Sequence, residues 1–143
     1  LVVTPHGLSL GATVIMLLPM LYFLIASLTF FLRGFDDPVV TWMLRGLFNV
    51  YFTLVIAGSS LAALAFVVAG RPVVAAGIAL VLGCAVAARR WFLARMDAGI
   101  RARDAGDAAA VSAMQGLHLR GIAYNAVQFV LVVVCVPAVL GPG

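Results

Sequence analysis

The chain has 143 residues, of which 65% are apolar and 10% charged, with a formal net charge of +4. Its mean hydropathy is +1.20. A soluble domain is about half apolar and a quarter charged, so these values exclude a soluble globular domain, a disordered tail and a nucleic-acid-binding module, and leave an integral membrane protein.

A helix needs about 20 mostly apolar residues to cross the hydrocarbon core, and four segments qualify. The first predicted span covers residues 8–32 and is uncharged until Arg33. Pro19 within it predicts a kink. No basic segment precedes it, so it is read as a span rather than a cleaved signal. The second span covers residues 39–69, with Asp37 placed to cap it and Pro38 suited to its first position. Gly70-Arg71-Pro72 predicts a tight turn into the third span, residues 72–93. The uncharged part of that span reaches roughly 26 Å at 1.5 Å per residue. Arg89 and Arg90 are therefore expected to snorkel at the membrane edge, beside Trp91 and Phe92. Residues 94–106 form the one polar connection. Pairs such as Asp97 and Arg101, four apart, allow it to continue the third helix. The fourth span covers residues 108–140. The expected fold is thus an all-α membrane protein, one four-helix bundle with short loops.

Arginine placement gives the bundle a direction. Arg33, Arg45, Arg89, Arg90, Arg95, Arg101, Arg103 and Arg120 lie near the first and third connections, and Arg71 alone near the second. The positive-inside rule puts the first and third connections in the cytoplasm and both termini on the non-cytoplasmic side.

Two polar stripes are candidate sites. On the fourth helix Gln115, His118, Asn125 and Gln128 fall within an arc of about 140° at 100° per residue. On the second, Arg45, Asn49, Thr53 and Ser60 fall within about 80°. Amides in hydrocarbon are costly, so Asn125 and Gln128 must face protein or a wet cavity. If the stripes meet, Arg45, Asn49, His118, Asn125 and Gln128 form one ligand-binding cluster in the cytoplasmic half. Arg45 would then take an anionic head group or carboxylate. The alternatives are interhelical hydrogen bonding by the amides and lipid-phosphate anchoring by Arg45 and Arg120.

The remaining chemistry is sparse. His6 and His118 are expected on opposite sides of the membrane, about 30 Å apart, so they cannot share a metal ion or haem within one chain. All five acids are aspartates outside the apolar runs, which argues against paired-carboxylate, metal-hydrolysis and proton-coupled transport chemistry. No metal is implied, and the cofactor, if any, is unknown. Cys84 and Cys135 sit in apolar runs and are expected to act as buried small residues. On the third helix Ala75, Ala79, Gly83 and Ala87 repeat every four residues. Such a ridge allows close helix approach, either inside the bundle or at an interface in a homo-oligomer or with other membrane subunits.

The Gly11–Tyr22 stretch, where a Gly and then a Pro interrupt the first helix, and Leu117-His118-Leu119-Arg120-Gly121 followed by Asn125 and Gln128, resemble small four-span bacterial membrane proteins of the DUF4149/TMEM205-like kind. The resemblance implies a four-helix membrane bundle and no established reaction. The anthrone-oxygenase-like DUF1772 group shares the four-span size, but its Asn-Arg pattern near the third span is not evident here. Two functions follow as expectations. One is an accessory or structural subunit of a bacterial inner membrane, embedded in the bilayer and without a catalytic set. The other is a lipid, quinone or haem site in the cytoplasmic half, a cofactor-dependent enzyme at the extreme, with His118 as its acid/base or axial ligand.

Overall fold

A computed structural model describes residues 4–140. Its elements are α1 (Pro5–Leu28), a 3-10 turn (Thr29–Leu32), α2 (Pro38–Val68), α3 (Pro72–Asp104) and α4 (Ala109–Leu140). No strand occurs among the described residues. All four helices are long and apolar enough to cross a membrane, and the chain is an all-α helical bundle suited to an integral membrane protein.

Local chemistry sets the helix ends. Thr4 Oγ1 accepts from the Gly7 N–H at 3.1 Å, and Asp37 Oδ1 accepts from the Val39 N–H at 2.8 Å. Pro5, Pro38 and Pro72 occupy first-turn positions, where a missing N–H costs nothing. Gly70, at φ +72°, closes α2 in the left-handed region. The Arg71 N–H then returns to Phe66 O at 2.9 Å. At the other end of α3, Gly106 has φ +88° and Asp107 N bonds Ala102 O at 3.0 Å. The polar stretch after residue 93 is therefore helical as far as Asp104, and α3 projects beyond its apolar span before a short turn leads into α4.

The helices form a ring. α1 packs on α2 and α4, and α3 packs on the same two. Phe23, Phe48, Tyr51, Phe52 and Phe92 fill its centre, with the Phe48 and Phe92 rings stacked at 5.3 Å and Phe23 meeting Phe48 edge-on at 5.1 Å. Phe66, Ala62, Ala75 and Ile78 are buried toward the α2–α3 turn, and Met96, Ile100 and Met114 toward the α3–α4 turn. Pro19 removes the helical N–H partner of the Ile15 carbonyl. Gly58 lets α2 approach that carbonyl, since a Cβ there would stand 3.4 Å from Ile15 O.

Much of the large apolar surface faces outward, including Leu18, Ile25, Leu64 and Val134. That exposure suits hydrocarbon and not water. Cys84 and Cys135 are free and on this outer surface, which corrects their expected burial. The small-residue repeat on α3 also turns outward after its first member: Ala75 is buried, whereas Ala79, Gly83 and Ala87 are exposed. A spacing of four drifts by about 40° per step relative to the helix repeat, so one row cannot stay under the same neighbour.

Candidate functional site

The two predicted polar stripes do not merge. Arg45 turns toward α3, where its Nη2 donates to Asp97 Oδ2 at 3.0 Å and its Nε to Asp97 Oδ1. Asn49 also faces α3, its Oδ1 accepting from Arg89 Nη2 at 2.7 Å. Further along, Arg103 donates through Nη1 to Thr41 Oγ1 and through Nη2 to Asp104 at 2.7 Å. Arg45 and Arg95 also lie over the rings of Trp42 and Trp91, at 5.9 and 4.9 Å. The charged end of the α2–α3 pair is thus stitched together by its own side chains. Thr53 and Ser60 return their hydroxyl protons to the carbonyls of Asn49 and Ile56 on their own helix.

Asn125 and Gln128 of α4 are buried as their desolvation cost demands, and their α2 partner is Tyr51. Asn125 is fully buried, donating from Nδ2 to Met20 O at 2.8 Å. Tyr51 Oη stands 2.8 Å from Asn125 Oδ1 and 3.2 Å from Gln128 Oε1. One network therefore joins α1, α2 and α4 across the ring. Gln115, at the edge of the predicted arc, is exposed, and Arg120 points outward as well.

His118 stands apart from both sets. It is 1% exposed, with Nε2 3.3 Å from Ser27 O. Its Nδ1 has no partner. The rings of Phe30, Phe31, Phe35 and Phe48 surround it at 6.0, 5.4, 5.7 and 6.4 Å. The imidazole is thus held inside the bundle among four aromatic rings, with the Ser27 carbonyl as its hydrogen-bond contact. No group of three or more metal-ligating side chains occurs among the described residues. The side chain of His6 lies outside the described residues.

Of the five candidate ligand residues, Gln128 lines a cavity between the helices. This space of about 310 Å³ is bounded by all four, with Met16, Phe66, Ile78, Leu131 and Val136 among its walls. It lies in the half of the bundle that holds the α2–α3 turn, opposite the half in which the polar cluster was predicted. Tyr51, Arg89 and Asp97 are the partners that sequence reasoning missed. Asp97, four residues before Arg101, read as part of a local pair, and Tyr51 falls outside the α2 stripe.

No family model matches the chain, and no curated protein or solved structure matches it significantly.

Proposed function

We propose that this chain is an accessory or structural subunit of a bacterial-type inner-membrane assembly, with no catalytic set of its own. The observation that carries this reading is a contrast between outer faces. α1, α2 and α4 turn large side chains outward, such as Leu18, Ile25, Leu61, Leu64, Val130 and Val134. Between residues 76 and 87 the exposed residues of α3 are Ala76, Gly77, Ala79, Leu80, Gly83, Cys84 and Ala87. A Cβ on Gly77 or Gly83 would meet nothing within 4 Å. Lipid tails gain most contact from large side chains, whereas a groove of small residues lets another helix approach closely. The membrane part of α3 is also the least covered, with 17% of its apolar window buried against 39% in α2.

The polar residues support the same reading. Arg45, Asn49, Asn125 and Tyr51 bond to other helices of the bundle, which is how polar side chains specify packing in a membrane. The arginine bias supports termini on the non-cytoplasmic side. Gel filtration in mild detergent tests the proposal. The native protein should elute as a complex, and an Ala79→Leu, Gly83→Leu variant should elute as a folded monomer. A native protein that is strictly monomeric would sink the reading.

A further inference from the structure

The cavity at the α2–α3 end holds a polar group that the fold does not use up. Tyr51 Oη is within hydrogen-bond distance of two carbonyl oxygens, Asn125 Oδ1 at 2.8 Å and Gln128 Oε1 at 3.2 Å. A phenol has one proton, so it cannot donate to both. The Asn125 amide is held one way round, because its Nδ2 donates to Met20 O at 2.8 Å. The shorter contact therefore takes the proton. The contact to Gln128 becomes a bond when that amide is turned end for end, with Nε2 donating to Tyr51 Oη. The oxygen and nitrogen of a terminal amide have nearly the same shape, and their assignment follows the hydrogen-bond network. The proton order is then Gln128 to Tyr51 to Asn125 to the Met20 carbonyl. It leaves Gln128 Oε1 as an acceptor without a donor, on a side chain that is 8% exposed and lines the cavity.

The walls define the rest of the occupant. No Arg or Asp lines the space, so a charged head group would lose its hydration with nothing in return. A volume of about 310 Å³ lies at the small end of the ~300–1,000 Å³ range of small-molecule sites, which suits one slender molecule. A groove between α3 and α4 runs past Leu80, Tyr124 and Val127 and shares Val81, Gln128 and Leu131 with the cavity. Val127 and Leu131, on its α4 wall, are exposed on the outer surface, so this groove leads in from the bilayer. We infer that the cavity binds a neutral, single-chain lipid alcohol, its hydroxyl donating to Gln128 Oε1 and its apolar body lying against Phe66 and Ile78.

Photolabelling in lipid nanodiscs tests this inference with two probes, a long-chain diazirine alcohol and its methyl ether. They match in their apolar body, and only the alcohol can donate. The alcohol should label residues 131–136 about fivefold more than the ether, the worth of one net hydrogen bond. Gln128→Leu should abolish that difference. Ile78→Trp, which fills the cavity, should abolish the alcohol's excess over the ether at the half-buried cavity residues Val132 and Val136. Equal labelling of the native protein by the two probes would mean ordinary occupancy by bilayer chains and would overturn the inference. Stronger labelling by the ether, or none at residues 131–136, would overturn it as well.

Discussion

Tyr51 and Asn125 meet across the bundle, Oη to Oδ1 at 2.8 Å, between the diagonally opposed helices α2 and α4. Asn125 is 0% exposed and passes the network on to the Met20 carbonyl of α1. Interhelical hydrogen bonds in membranes average about 0.6 kcal/mol and reach about 1.7. Tyr51→Phe should therefore destabilise the bundle by about 1 kcal/mol. Asn125→Ala should cost about 2–3 kcal/mol, since it also strands the Tyr51 hydroxyl. Reversible unfolding in mixed micelles, run as a double-mutant cycle, should return a coupling of about 1 kcal/mol. Strictly additive losses would show that the two residues do not share a bond.

Gly121 is where α4 passes over the Phe48 ring, and a Cβ there would run into Phe48 Cζ and Cε1. Gly121→Ala should cost about 1–3 kcal/mol through overpacking. Gly116 has open space at the same point, so Gly116→Ala should stay within about 0.5 kcal/mol. Thermal melts of the two variants in one detergent check the contrast. Equal melting temperatures would show that the α2–α4 approach is looser than described.

His118 tests the cofactor idea directly. It is 1% exposed and has four aromatic neighbours. His118→Phe should fold with a loss below about 1.5 kcal/mol, as for swaps that conserve volume. Haemin titrations of the native protein and the variant should overlay. A red-shifted Soret band present only in the native protein would restore the ligand role.

The arginine-rich end can be located chemically. In a background carrying Cys84→Ala and Cys135→Ala, a Gly106→Cys variant should be shielded from an impermeant maleimide added outside intact cells. Permeabilisation should expose it. Ready labelling of intact cells would reverse the orientation inferred from the arginines.

The fold was largely legible in the sequence because its signals are local. Asp37-Pro38 and Gly70 act within a few residues of where they sit, and an uncharged run of about 20 residues has few fates. Burial of Asn125 and Gln128 was legible for a related reason, since an amide cannot face lipid cheaply. The partners were not legible. Arg45 and Asn49 share an arc of α2, but which helix that arc meets depends on how α2 is rotated, and periodicity does not fix rotation. The structure turns them to Asp97 and Arg89 on α3. The face that meets Asn125 carries Tyr51, one phenol in an otherwise apolar stretch. Asp97 was read as a local partner of Arg101, whereas the continuation of α3 beyond its apolar span brings its carboxylate level with Arg45.

On the proposed function, the small-residue face of α3 contacts another membrane helix. Photo-crosslinking in native membranes tests it most directly, with benzoylphenylalanine placed at Ala79 and, for comparison, at the exposed Val130 of α4. Position 79 should give a protein-sized adduct and position 130 lipid adducts alone. Lipid adducts alone from both positions would contradict it.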